Sequence, residues 1–294
     1  MTARPSDEYG RPERLLLHFS DTHLIGGDSL LYGAADADGH LSERLAALEA
    51  SGVRPDAMVF TGDLADTGDP AAYAKLRKLV EPVARRLHTR LVWLMGNHDD
   101  RGALRQELLG LPADDAPLDD VIDLNGLRLI ILDSTVPGAQ HGELSAAQLL
   151  WLAGVLSVPA PLGSILAMHH PPIPCVQERA TVVELRGQKA LADVIRGSDI
   201  RTILGGHLHY STSAMFAGIP VSVAAATSYN QDLNVAVGGG RGHDGGQSFN
   251  FVHVFDETIV HSVATVASST TVGEVVDADD VQRLLAAHRQ QLPI

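Results

Sequence analysis

The chain has one cysteine, Cys175, in 294 residues. No intramolecular disulfide can form, and a thiolate metal site, which needs several sulfur ligands, is disfavoured. Cys175 is read as a small packed residue in a proline-rich loop. Basic residues are also scarce: 22 Lys and Arg stand against 36 Asp and Glu, a formal net charge of -14. That balance lacks the cationic footprint with which proteins hold a nucleic-acid backbone, so no nucleic-acid partner is expected. No segment approaches the ~20 apolar residues of a membrane span, and the opening "MTARPSDEYGRPER" has no apolar core of a secretory signal. The expected location is cytoplasmic, with membrane contact left open for the C-terminal segment alone. The glycine-rich "GGGRGHDGG" (238–246) lacks the Lys-Ser/Thr ending of a phosphate-cradling loop and is read as a flexible surface loop.

What is present is an ample core, with 45% hydrophobic residues, and a recurring order of elements. Short Val/Ile/Leu-rich runs alternate with segments of helical period, the pattern of an α/β fold. "RLLLHFS" reads as a buried strand, followed by a helix near 38–50 that stops at Gly52. "DAMVF" is the next strand, Asp69 and Pro70 start a helix through Leu87, and "RLVWLM" is strand again. "VIDLNGLRLIILD" reads as a hairpin around Asn125-Gly126, and Ser145 caps "AAQLLWLAGVL". "SILAM" and "RTIL" are strands flanking a helix at about 186–196. "IPVSVAAA", "FNFVHVF" and "TIVHSVATV" read as β, and a last helix spans 278–289. No repeat or interdomain linker interrupts the chain. The expected division is a flexible N-terminal segment (1–13), a catalytic domain (14–266) and a C-terminal segment with a short helix (267–294).

The stretch "GGHLHY" (205–210) places two histidines one residue apart. On an extended chain, alternation would turn His207 and His209 to one side. The other strand ends supply partners: Asp21 and His23 after the first, Asp63 after the second, Asn97 and His98 after the third, His169 after "SILAM". Ligand sites gather at the carboxyl ends of strands in α/β sheets, and chance does not place donors at five such ends together. The glycines of "TGD", "MGN" and "GGH" allow backbone to turn or approach closely beside these donors. Seven candidate ligands exceed what one tetrahedral ion needs and suit two ions sharing a carboxylate, for which Asp63 is the candidate.

The ordered set "SDTHL", "TGDLAD", "MGNHDD", "MHH" and "GGHLH" resembles the calcineurin-like metallophosphoesterase family, in its D-x-H, G-D, G-N-H-[DE], H and G-H-x-H pattern. Neighbouring text, "YGAADADGHL", "RPDAMVFTGDLAD", "HHPPIP" and "GIPVSVAAATSYNQDL", is similar to the bacterial class III cyclic nucleotide phosphodiesterases within it. The resemblance implies a four-layer α/β sandwich of two mixed β-sheets flanked by helices, and a homodimer. It implies two metal ions, iron and manganese being expected and zinc an alternative. One ion would take Asp21, His23 and His209, the other Asn97, His169 and His207, with Asp63 bridging. The implied reaction is hydrolysis of 3′,5′-cyclic AMP, a small-molecule phosphodiester, by a metal-bridging hydroxide attacking phosphorus in line. His98 is the implied general acid or phosphate-oxygen partner, beside Asn97 in the substrate site.

Asp66 and Asp99 are read as acceptors that orient ligands or His98, with helix capping as the alternative. His170 is given a supporting or packing role, Asp133 a structural one, and Tyr229 and Asn230 loop-anchoring roles ahead of a nucleoside pocket. No arginine is recognised as placed for a phosphate dianion. Two other readings stand: a broader phosphodiesterase acting on 2′,3′-cyclic nucleotides or glycerophosphodiesters, and a catalytically silent scaffold on the same fold.

Overall fold

The computed structural model describes residues 9–265, 272–273 and 276–289. In chain order the strands are β1 (Arg14–Phe19), β2 (Ala57–Phe60), β3 (Arg90–Trp93), β4 (Asp120–Leu124), β5 (Leu127–Ile131), β6 (Ser164–Ala167) and β7 (Ile200–Gly205). They continue with β8 (Thr212–Phe216), β9 (Ile219–Val223), β10 (Asn230–Gln231), β11 (Gly242–His243), β12 (Ser248–Val254) and β13 (Ile259–Thr265). The α-helices are α1 (Ala37–Ser51), α2 (Pro70–Leu87), α3 (Arg101–Leu104), α4 (Ala146–Leu156), α5 (Gln188–Ile195) and α6 (Ala278–Arg289).

Two mixed sheets form. One runs β13-β12-β1-β2-β3, the other β4-β5-β6-β7-β9-β8. β1, β2 and β3 are parallel, as are β5, β6, β7 and β9; antiparallel pairings join β12 and β13 to the first sheet and β4 and β8 to the edges of the second. The continuous apolar runs have a direct cause in strand period. Met58 and Phe60 face a core shared with Leu41 of α1 and Tyr73 and Leu76 of α2, while Ala57 and Val59 face the second sheet. Likewise Leu166 packs with Leu152 of α4 and Ile195 of α5, while Ile165 and Ala167 enter the layer between sheets. Each central strand is buried on both faces, giving the expected helix–sheet–sheet–helix sandwich.

Local signals set the boundaries. Asp69 accepts from Ala71 N at the start of α2, and Ser145 forms a full capping box with Gln148. Gly52 ends α1 at φ 69°, and Asn125 and Gly126 take φ 52° and 97° in the β4–β5 turn. Asp133 is structural as expected, paired with Arg101 Nε at 3.1 Å. Among the elements not anticipated are β8, whose residues alternate without strong apolar character, and a π-helical turn at Arg105–Leu109 after α3. The glycine-rich loop differs from a free surface loop, because β11 pairs with β10 and Arg241 ion-pairs with Asp232. Helix α6 forms over the expected span, and among the described residues no helix is long and apolar enough to cross a membrane. Residues 1–8 of the expected N-terminal segment, and 266–271, lie outside the described residues.

Candidate dinuclear metal centre

The parallel strands of both sheets end on the same side, and the donors leave from there. Asp21 and His23 follow β1, Asp63 follows β2, Asn97 and His98 follow β3, His169 follows β6, and His207 and His209 follow β7. Asp21, His23, Asp63, His207 and His209 all have φ between 42° and 71°. Non-glycine residues pay for that conformation, and such strain collects where function requires it. The alternation argument for His207 and His209 is thereby corrected: neither is on extended chain. The left-handed turns send them apart, His209 beside His23, with ring centroids 4.9 Å apart, and His207 beside His169, at 5.0 Å.

Hydrogen bonds settle which ring nitrogen is free. His23 Nδ1 bonds Asp66 Oδ1 at 3.0 Å, His169 Nδ1 bonds the Thr61 carbonyl at 2.7 Å, and His209 Nδ1 bonds the Tyr229 carbonyl at 2.9 Å. Each Nδ1–H is spent on a fixed acceptor, so each Nε2 faces the centre and is the atom that could ligate once it has lost its proton. His207 is reversed: Nε2 bonds the Val183 carbonyl at 3.0 Å, leaving Nδ1. His170 has both nitrogens occupied, Nδ1 with Ser134 Oγ at 2.9 Å and Nε2 with the Gln140 carbonyl at 3.1 Å. Its ring packs on His207, centroids 4.4 Å apart, beside the group that His169 and His207 form.

The free atoms form two nests joined by one oxygen. Asp63 Oδ2 lies 3.4 Å from His23 Nε2 and 3.3 Å from His169 Nε2. On one side His23 Nε2 meets His209 Nε2 at 3.1 Å, and His209 Nε2 meets Asp21 Oδ1 at 3.3 Å. On the other, His169 Nε2 meets Asn97 Oδ1 at 3.1 Å. Ligands held ~2.0–2.2 Å from one ion stand roughly 2.9–3.5 Å from one another, so these donors fit metal coordination. The donor set, nitrogen and oxygen without sulfur, suits iron, manganese or zinc.

The protein's own electrostatics prepare the site. Burial opposes charge on His23, but the carboxylates of Asp63, Asp66 and Asp21 prevail and raise its pKa to about 10. His169 is likewise raised against burial, to about 9, by Asp63 and Asp21. Burial would raise Asp21, yet His209 and His169 bring it down to about 2. Burial and the charge of His169 push His207 down to about 4.

Asp66 and Asp99 are not helix caps; α3 is capped by Asp100. Asp66 Oδ1 also accepts the Tyr32 hydroxyl at 2.6 Å. Asp99 accepts N–H groups of Leu64, Ala65 and Gly96 and the hydroxyl of the buried Tyr73, locking the loops that carry Asp63 and Asn97. The glycines work by close approach: a Cβ on Gly96 would stand 2.1 Å from Asp63 N, and one on Gly206 would stand 1.9 Å from Ser20 Oγ.

His98 N donates to Asp63 Oδ1 at 2.8 Å, and its ring Nδ1 bonds the Asp66 carbonyl at 2.7 Å. Nε2 is left for a ligand. The ring borders a cavity of about 190 Å³ that also takes in Asp63, Asn97, His207 and His209. The lining also includes residues that sequence reasoning passed over: Arg179, Gln177 and Gln231, with Tyr229 beside His209. Tyr229 therefore lines the cavity, whereas Asn230 is the loop anchor expected, donating to the Gly245 carbonyl at 2.8 Å. No arginine was recognised in the sequence as placed for a phosphate dianion, yet Arg179 lines this cavity. Its signal in sequence was nil, because an exposed arginine in a proline-rich stretch resembles any other surface cation.

The family model for calcineurin-like phosphoesterases matches residues 15–211. A Rhodococcus erythropolis protein named probable cyclic nucleotide phosphodiesterase is 60% identical over 282 residues, covering 96% of this chain and 93% of its own. A Mycobacterium tuberculosis protein named cAMP/cGMP dual specificity phosphodiesterase is 60% identical over 279 residues, covering 95% of this chain and 88% of its own. Among solved structures, a dimetal phosphatase from Danio rerio superposes with a TM-score of 0.58 at 13% identity, over 86% of this chain and all of that one, a likeness of fold.

Proposed function

Since the chain belongs to the calcineurin-like phosphoesterase family, we propose that it is a dinuclear metal-dependent phosphodiesterase hydrolysing 3′,5′-cyclic nucleotides, cyclic AMP to AMP among them. The observation that carries the reading is the position of Asp63 Oδ2, 3.4 Å from His23 Nε2 and 3.3 Å from His169 Nε2, so that one carboxylate oxygen serves two donor nests. Asp21, His23 and His209 would hold one ion, Asn97, His169 and His207 the other, with Asp63 common to both. Bound there, two such ions neutralise phosphate charge and lower the pKa of water enough to supply hydroxide near neutral pH. This local cation charge lets a protein of net charge -14 receive an anionic phosphodiester.

The chain's residues supply the rest. The backbone bond from Asp66 fixes the His98 ring with Nε2 free, positioned to give a proton to the departing ribose oxygen, a poor leaving group. Asn97 and His98 border the space where the phosphate sits. Tyr229 offers a ring face for a nucleobase, and Gln231 Oε1, buried with no hydrogen-bond partner among the described residues, can accept a base amine. The 60% identity to proteins named for cyclic nucleotides supports the same substrate class. The same reading assigns iron and manganese to the two nests and a homodimer to the assembly; metal analysis and sedimentation equilibrium test these.

The deciding experiment measures kcat/KM of metal-loaded protein on 3′,5′-cyclic AMP, 2′,3′-cyclic AMP and a glycerophosphodiester. Highest efficiency on the 3′,5′ isomer is expected. Preference for either other ester overturns the substrate assignment, and full activity after exhaustive chelation overturns the metal chemistry.

A further inference from the structure

An asparagine ligand poses a problem that histidine and aspartate do not. Its carboxamide is nearly symmetric in shape but not in charge: the oxygen attracts a cation and the NH2 repels one. Something outside the metal nest must decide which end faces inward. Asn97 Oδ1 points towards His169 Nε2, and Nδ2 donates outward to Gln140 Oε1 at 2.7 Å.

Gln140 lies in the loop after β5, and the fold holds its backbone. Its carbonyl takes the hydrogen bond from His170 Nε2 at 3.1 Å, while His170 Nδ1 pairs with Ser134 Oγ at 2.9 Å at the start of the same loop. Gly142, two residues on, lies so close to His170 that an added Cβ would come within 2.6 Å of the ring. One loop thus grips His170, which packs against His207, and reaches Asn97 with its Gln140 side chain. Both contacts converge on the same donor nest.

We infer that Gln140 is a positioning residue for that nest: by accepting from Asn97 Nδ2 it turns Asn97 Oδ1 towards the ion. The inference rests on the metal reading of the site given above. Gln140 is exposed, so replacing its side chain leaves the core intact. Loss of the acceptor frees the amide to rotate, and part of the population then presents NH2 to the cation. Partners of this kind typically carry 10–100-fold in metal affinity; for an exposed one about tenfold is expected.

The test titrates demetallated full-length protein with Mn2+ and reads the two binding events by calorimetry and electron paramagnetic resonance, with circular dichroism reporting the fold. Gln140→Met, equal in length but without the amide, should weaken one ion about tenfold and leave the other within about threefold. Its activity should recover when Mn2+ is raised. Gln140→Glu, an acceptor at either oxygen, should keep both affinities within about threefold. Wild-type binding of both ions by Gln140→Met overturns the inference, and so does equal loss in Gln140→Met and Gln140→Glu. Asn97→Leu separates the levels: if it loses an ion while Gln140→Met loses none, only the role of Gln140 fails. If Asn97→Leu keeps both ions at wild-type affinity, the ligand assignment itself fails.

Discussion

His23 Nε2 and His209 Nε2 stand 3.1 Å apart, both rings buried, with both Nδ1 atoms already bonded to acceptors. Without a cation between them, one ring must carry a proton on Nε2, and the carboxylates around His23 hold it there. Metal uptake therefore expels protons. His23 and His169, raised to about 10 and about 9, are protonated in metal-free protein at neutral pH and neutral when ligating. Apparent metal affinity should climb as pH rises from 6 to 8, by up to about tenfold per unit for each proton displaced. Calorimetry in buffers of different ionisation enthalpy measures the protons released; zero release would contradict the arrangement.

His98→Ala should cost about 10²–10⁴ in kcat on cyclic and alkyl phosphodiesters and far less on p-nitrophenyl esters, whose leaving group needs no proton. Metal content should stay at the wild-type level, since His98 lies outside both donor nests. Equal losses on the two substrate types would remove His98 from the acid role.

Asp66 accepts from His23 Nδ1 and from Tyr32, so Asp66→Ala releases the His23 ring. The expected result is a 10–100-fold loss of affinity for the ion near Asp21, with the other ion less affected. Tyr32→Phe removes only the hydroxyl and should cost less than about tenfold. Metal titration followed by activity at saturating metal distinguishes lost binding from lost chemistry.

Gly96→Ala places a methyl 2.1 Å from Asp63 N and 2.2 Å from its Oδ1. No flexible side chain can yield, because the clash is with backbone and with the shared carboxylate. Destabilisation of about 1–3 kcal/mol or more is expected, together with loss of both ions. Thermal melts with and without metal report it; a wild-type melting temperature in both would argue against the close approach.

Outside the donor nests, the buried His18 and the half-buried His261 stay neutral: burial and His261 lower His18 to about 3, and burial lowers His261 to about 4. Both pKa values lie below the ordinary 6.5, so the unfolded chain binds more protons in acid. Their contribution is complete above pH 6.5 and is lost as pH falls from there towards 4 and 3. His261→Gln should flatten the stability profile between pH 6.5 and 4, measured by urea unfolding. An unchanged slope would assign acid sensitivity elsewhere.

Much of this was legible along the chain because its causes are local. Capping by Asp69 and Ser145, the Asn125-Gly126 turn and the doubly buried strands follow from side-chain chemistry within a few residues of each element. The donors, too, were visible as candidates, since each follows a strand end and Asp63, Asn97 and His207 come directly after a glycine. What local chemistry did not contain was direction. His207 and His209 were expected to converge by strand alternation, and instead left-handed turns assign them to different nests. Arg179, Gln231 and Gln140 carry no motif and reach the cavity only because β5, β7 and the loops around them meet the ends of β1 to β3. A residue type and its neighbours set what a side chain can do; which partner it meets across the sandwich is decided by packing between segments more than a hundred residues apart, as His169 and Thr61 are.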